Sequence, residues 1–134
     1  MKILIVDSSI QIIERLEEIL SEAENITAIY RATFYEEARK LFKQNKHDVV
    51  LLDISLPGNK ALKLLKEIKK YRGKTCVIIL FTEINNYIKE LFQFLGADFF
   101  FDKYYDFEKI CGVINTLGQI EEKPLSHISK NSIL

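Results

Sequence analysis

Val49-Val50-Leu51-Leu52-Asp53-Ile54-Ser55-Leu56-Pro57-Gly58 is the stretch whose reading decides the fold. Four consecutive apolar residues end in a carboxylate and run into a Pro-Gly turn. An apolar run this short, without polar alternation, fits a strand buried on both faces of a parallel sheet. Three more runs end the same way. Ile3-Leu4-Ile5-Val6 precedes Asp7, Val77-Ile78-Ile79-Leu80-Phe81 precedes Thr82, and Phe99-Phe100-Phe101 comes just before Lys103. The carboxyl ends of parallel strands lie on one side of an open α/β sheet, where such folds keep their chemistry. Two carboxylates, a hydroxyl and an ammonium are therefore predicted to meet in one pocket, and that set suits phosphoryl transfer to a carboxylate.

Between the apolar runs the period changes to that of a helix. Ile12, Ile13, Leu16, Ile19 and Leu20 form one face, with Glu14, Arg15, Glu17 and Glu18 on the other. Ile26 to Arg31 reads as a second strand. Thr33 and Glu36 read as a capping box that opens a second helix through Leu41 and Phe42. The third helix is marked by Ala61, Leu62, Leu64, Leu65 and Ile68 and stops near Gly73. The fourth is marked by Tyr87, Ile88, Leu91, Phe92 and Leu95, with Gly96 as its C-cap. The fifth is marked by Phe107, Ile110, Cys111, Ile114 and Leu117. Strict alternation predicts a (βα)5 flavodoxin-like three-layer α/β sandwich. Its parallel sheet has the order 2-1-3-4-5, with Asp7 and Asp53 ending the two strands at the switch point. One domain is expected over 1–120. The pattern is lost from Glu121, so 121–134 reads as a C-terminal tail, too short for an output domain.

Composition narrows the function classes. Hydrophobic residues make up 48% of 134, enough for one packed core. The 19 basic and 19 acidic residues cancel, whereas nucleic-acid-binding domains are usually basic. No stretch approaches the roughly 20 apolar residues of a membrane helix, and the N-terminus is too short in its apolar part for a signal peptide. A cytoplasmic protein is expected, bound neither to nucleic acid nor to membrane. Cys76 and Cys111 lack metal-ligand spacing and read as reduced core residues. No Gly-rich dinucleotide loop or Walker loop is present. Asp7 is followed by Ser9 where a phosphatase of the haloacid-dehalogenase type needs a second acid.

Asp53 is the candidate nucleophile, because a carboxylate can attack phosphorus and form an acyl phosphate. Two anions must then approach one another, which calls for a hard cation. Mg²⁺ held by Asp7, Asp53 and the backbone carbonyl of Ser55 fits that need. Lys103 and the Thr82 hydroxyl would each take a phosphoryl oxygen, so positioning and electrostatics supply the catalysis. Each residue alone has an ordinary reading: Asp7 or Thr82 as a helix cap, Lys103 as a solvated lysine, Asp53 as turn chemistry. The joint pattern at four strand ends is what outweighs them.

With those motifs in view, the sequence resembles the receiver domains of two-component response regulators. The resemblance rests on Lys2 to Asp7, on Asp53-Ile54-Ser55-Leu56-Pro57-Gly58, on Phe81-Thr82, and on Gly96-Ala97-Asp98 leading to Lys103, and covers about residues 1–118. It implies that Asp53 is the phosphoacceptor, Asp7 a Mg²⁺ ligand, Thr82 the switch hydroxyl, Lys103 the phosphate-binding lysine and Phe100 the switch aromatic. It also implies a histidine kinase or phosphotransfer protein as donor and a protein target downstream. Ten of the fifteen aromatics fall between Phe81 and Phe107. Tyr87, Phe94, Tyr104 and Tyr105 are therefore candidates for a target or homodimer face on helix four, strand five and helix five.

Three positions depart from the family pattern. Ser8 stands where a second acid follows strand one, Ala61 where a Gly is usual, and Tyr104 where a Pro follows the lysine. Ser8 matters most. Three carboxylates, a lysine and Mg²⁺ sum to about zero; with two carboxylates one positive charge remains. A unit pair at about 4 Å and an effective dielectric near 20 is on the order of 4 kcal/mol before desolvation. Part of that would weaken Mg²⁺ by one or two orders of magnitude. Ser8 either holds a metal-bound water or caps helix one. Two readings result: a stand-alone phosphoacceptor receiver, at most self-phosphorylating and self-dephosphorylating, or a pseudo-receiver interaction module with weak or no Mg²⁺-dependent phosphorylation.

Overall fold

The computed structural model describes residues 1–122. Five strands, β1 (Lys2–Val6), β2 (Ala28–Ala32), β3 (Val49–Asp53), β4 (Cys76–Phe81) and β5 (Phe99–Asp102), alternate with five helices. The helices are α1 (Ile10–Leu20), α2 (Tyr35–Gln44), α3 (Lys60–Tyr71), α4 (Asn86–Phe94) and α5 (Phe107–Glu122). All strand pairs are parallel, in the order β2-β1-β3-β4-β5. The flavodoxin-like (βα)5 architecture expected from the alternation is the one observed. The remainder of the expected tail, from residue 123, lies outside the described residues.

Strand side chains alternate between two apolar layers. Leu4, Val6, Val50, Leu52, Val77 and Ile79 pack under α2, α3 and α4. Ile3, Ile5, Val49, Leu51, Ile78 and Leu80 pack under α1 and α5. Nearly all are fully enclosed, and burial of each Leu, Ile or Val contributes about 1.5–3 kcal/mol. Cys76 is a free thiol half-buried beside the second layer, and Cys111 is also free and half-buried. Burial pushes the Cys76 thiol up to about 12.

The helix starts differ from expectation in three places. Ser9, not Ser8, caps α1: its hydroxyl accepts from the Ile12 amide at 3.3 Å. Ser8 is left exposed. The capping box at Thr33 does not form, because Phe34 occupies the N-cap position of α2. Glu37 rather than Glu36 reaches back, accepting from the Thr33 amide at 2.9 Å. The cap of α4 is Asn85, whose Oδ1 accepts from the Ile88 amide at 2.8 Å. That frees Thr82 from any capping duty. Gly96 does end α4, at φ +107°. The positive φ is what favours glycine there; a Cβ would also press on the Lys69 side chain at 3.0 Å.

Helix α4 buries only Phe92. Tyr87 and Phe94 stand in solvent on it, and Tyr104 and Tyr105 do so on the β5–α5 turn. An element with so small a buried face is the least anchored in the sandwich.

Candidate functional site

The register brings the strand ends level. Val6 pairs with Leu52, Asp53 with Leu80 and Phe81 with Asp102. Asp7, Thr82 and Lys103 each follow the last residue of their strand. Asp7, Asp53 and Lys103 carry on the phase of the layer under α1 and α5, two residues beyond Ile5, Leu51 and Phe101. Backbone bonds fix these ends: the Asp7 amide donates to Ala32 O at 3.1 Å, the Lys103 amide to Phe81 O at 2.8 Å, and the Ile54 amide to Leu80 O at 2.9 Å.

Three of the four side chains converge. Lys103 Nζ lies 2.7 Å from Asp7 Oδ2 and 3.0 Å from Asp53 Oδ1. The carboxylates are 0% and 3% exposed, the lysine side chain 9%. The Ser9 amide donates to Asp7 Oδ1 and the Ser55 amide to Asp53 Oδ1, both at 2.9 Å. Asp7 Oδ2 is different. It touches the ammonium without the alignment of a hydrogen bond, and no other donor reaches it. That enclosed oxygen keeps a lone pair that a hard cation could share with the ammonium.

The charges respond to this enclosure. Burial pushes the Asp7 carboxyl above its ordinary value, and the Asp53 charge adds to that; the Lys103 ammonium and the Ser9 amide pull it down without winning. Burial also disfavours the charged Lys103, but Asp7 and Asp53 outweigh it and hold the ammonium above its ordinary value. A cation 2.7 Å away would by itself depress Asp7. Complete enclosure beside a second carboxylate reverses that, so the pocket still favours added positive charge.

Hard oxygens from Asp7, Asp53 and the Ser55 carbonyl suit Mg²⁺. The unaligned Asp7 oxygen is the observation that fits it. Among the described residues no group of three or more His, Cys, Asp or Glu side chains stands together where it could hold a metal ion.

Thr82 is exposed at the end of β4, beside β3, and its hydroxyl engages no protein partner among the described residues. Phe100 is half-buried against the α2–α4 layer. Lys89 Nζ sits over its ring at 5.7 Å. Ala61 is buried in the first turn of α3, where its methyl packs in the core. Next to it, a cavity of about 480 Å³ runs between the β3–α3 turn and α4, lined by Ile54, Leu62, Ile84 and Phe92 among others.

Asp102 and Asp106 escaped the sequence reading. Asp102 Oδ1 accepts from the Tyr104 and Tyr105 amides at 2.7 and 3.1 Å, and Asp106 Oδ2 accepts from the Asp102 amide at 2.8 Å. Together they clasp the turn that carries Lys103. Two aspartates flanking Lys-Tyr-Tyr are the signal that could have shown it, since Asp bonds to backbone amides a few residues on. Tyr104 follows the lysine, and among the described residues no peptide bond is cis.

Comparison with known proteins agrees with this fold. The family model "Response regulator receiver domain" matches residues 3–115. The chain is 25% identical over 128 residues to the sensory transduction protein LytT of Bacillus anthracis, covering 96% of this chain and 50% of that protein. It thus spans about half the length of the curated relatives it matches. The Francisella response regulator 1452 receiver domain superposes with a TM-score of 0.78 at 25% identity, covering 90% of this chain and 98% of that one. A two-component response regulator from Clostridium difficile superposes at 0.81 with 22% identity, covering 91% and 98%, a likeness of fold. No helix among the described residues is long and apolar enough to cross a membrane.

Proposed function

The chain belongs to the response regulator receiver domain family, and from that premise we propose that it accepts a phosphoryl group on Asp53 from a histidine kinase or phosphotransfer protein. The observation that carries the proposal is the buried contact of Lys103 with both Asp7 and Asp53 at the switch point of the sheet. A carboxylate oxygen of Asp53 attacks phosphorus, the P–N bond of the donor phosphohistidine breaks, and the imidazole leaves. Asp53 need not move far, because the Ser55 amide already orients it. Lys103 shifts its ammonium from the carboxylates toward the incoming phosphoryl oxygens, and Thr82, free of any cap, donates its hydroxyl to another. Mg²⁺, held by Asp7, Asp53 and the Ser55 carbonyl, with Ser8 able to hold a bound water, would neutralise charge between the two anions when bound.

The signal leaves through charge and volume. Phosphorylation adds nearly two negative charges and three acceptor oxygens. Movement of Thr82 toward them vacates space beside β4 that Phe100 can fill. That biases a two-state surface on α4, β5 and α5, where Tyr87, Phe94, Tyr104 and Tyr105 are exposed for a target protein or a second copy. The sparse burial of α4 makes its repositioning inexpensive.

Ser8 favours a second reading, in which the fold serves as an interaction module with little phosphorylation. One experiment decides. The protein is incubated with Mg²⁺ and a small acyl phosphate donor and weighed by mass spectrometry. A phosphoryl increment that survives mild acid, is lost in base and disappears in Asp53→Asn supports the phosphoacceptor. No increment at any Mg²⁺ concentration supports the interaction module.

A further inference from the structure

The amino ends of the strands frame a second polar cavity. It holds about 530 Å³ and lies between the loop before β3 and the loop before β4, at the end of the sheet opposite Asp53. Two hydrogen bonds lock these loops together. The Thr75 hydroxyl donates to His47 O and the Cys76 amide to Asp48 O, both at 2.9 Å.

The acceptors around this cavity are taken. His47 O and Asp48 O receive those two bonds, Arg72 O receives the Thr75 amide at 3.0 Å, and Thr75 O receives Lys69 Nζ at 2.7 Å. Asp48 supplies the one carboxylate lining the cavity among the described residues, and its Oδ2 accepts from the Lys2 amide at 2.7 Å. The donors are not taken. The backbone amides of Lys46, Gly73 and Lys74 reach no acceptor among the described residues. Arg72 engages only Nη1, on Phe42 O and Asn45 O at 2.7 and 2.5 Å. Lys46 and Lys74 are exposed and make no ion pair among the described residues.

His47 is the least explained of these donors. It lines the cavity and is 2% exposed, yet neither ring nitrogen has a partner among the described residues. Tyr30 on β2 meets its ring edge-on at 4.7 Å, and Phe42 on α2 stacks on it at 6.1 Å. Neither contact supplies an acceptor. A neutral imidazole still carries one N–H, and a buried donor left unmet is destabilising. Burial, then the charges of Arg72 after α3 and Lys2 on β1, lower the ring to about 4 against an opposing pull from Asp48. The imidazole is therefore neutral in a setting short of negative charge.

Unmet donors, filled acceptors and surplus cations suit one kind of occupant, a ligand built of acceptor oxygens that carries negative charge. A water molecule would meet the His47 donor and leave the charge as it is. We propose that this cavity binds the phosphate group of a small molecule, with the His47 ring and the free edge of the Arg72 guanidinium donating to its oxygens and Lys46 and Lys74 neutralising it. The volume is that of a small-molecule site. Three cations in a concave pair of loops are too few for a nucleic-acid track. Such a site operates whether or not Asp53 accepts a phosphoryl group.

Titration of the full chain with inorganic phosphate, followed by NMR, tests the proposal. The chain has two histidines, so the His47 ring signals are those lost in His47→Phe. The Gly73 and Lys74 amide signals and the His47 ring signals should move together and saturate with a Kd on the order of 1 mM. Sodium chloride of equal ionic strength should not reproduce the movement. Bound phosphate should also raise the pH at which the His47 ring takes up its proton, because an anion beside it favours the charged form. Lys46→Gln/Lys74→Gln should weaken binding by about threefold to tenfold. His47→Phe keeps a ring and removes the donor, and should weaken it by about tenfold or more. No movement, movement matched by sodium chloride, or affinity untouched by both variants overturns the proposal. Movement confined to Ser55 and Lys103 overturns it too, since those signals report the Asp53 pocket. So does a response to duplex DNA with none to phosphate. Both lysines are exposed, and circular dichroism verifies that each variant folds.

Discussion

Lys103→Met removes a charge from the pocket while keeping the length of the aliphatic stem. Its cost follows from the geometry. In the native protein one ammonium touches two carboxylates that are 0% and 3% exposed. Without it, both are left enclosed and uncompensated, and breaking a buried pair in this way costs about 3–5 kcal/mol. For a domain of this size 1 kcal/mol moves the melting temperature by roughly 3–6 °C, so a fall on the order of 10–25 °C is expected at pH 7. Acidification should restore part of it. Asp7 already has a folded pKa above its unfolded value of 3.8, and loss of Lys103 raises it further. A carboxyl raised on folding contributes stability that is complete below the unfolded pKa and lost as pH rises through the folded one. The gap between variant and wild type therefore narrows as pH falls through the Asp7 folded pKa. Mg²⁺ should narrow it as well, by binding the native pocket. Thermal melts followed by circular dichroism, across pH and with or without Mg²⁺, measure all of this. A gap that is constant with pH and indifferent to Mg²⁺ would refute the shared desolvated pocket.

Three further outcomes are expected. Ser8→Asp adds a third carboxylate at an exposed position and should tighten Mg²⁺ by about tenfold or more in a calorimetric titration, since solvent screens part of the roughly 4 kcal/mol pair energy; unchanged affinity would mean that position 8 does not face the metal. Asp106→Ala frees the Asp102 amide and should cost about 1 kcal/mol in denaturant unfolding, and slow phosphoryl uptake by loosening the turn under Lys103. His47 is enclosed between Tyr30 and Phe42 with both ring nitrogens unpartnered, and burial, aided by the Arg72 charge, lowers it to about 4. Its stability contribution is present above the unfolded value near 6.5 and is lost as pH falls toward 4, on the order of 3 kcal/mol; His47→Phe should flatten stability against pH across that window.

Much of the chain is legible before folding because its signals are local. Apolar runs of four or five residues between helical periods identify strands and helices, and strict alternation leaves a parallel sheet with few possible orders. Once the strands are parallel, Asp7, Asp53, Thr82 and Lys103 must lie on one side. Gly96 after α4 is equally local, since a helix end at positive φ wants no Cβ. The helix caps are less so. Ser8 and Ser9 are the same residue type one position apart, and only the backbone path into α1 decides which hydroxyl reaches the Ile12 amide. Thr33 loses its capping role because the chain stays extended through Phe34 and begins its helix one residue later.

What the sequence determined alone is which elements form and which side chains end them, since periodicity and chain connectivity depend on neighbours a few residues apart. The tertiary structure alone decided that Lys103 touches both Asp7 and Asp53, that one Asp7 oxygen lacks an aligned donor, and that Asp102 and Asp106 clasp the turn. These depend on strand register and side-chain packing between residues as many as 96 positions apart, and no local pattern encodes a distance between them.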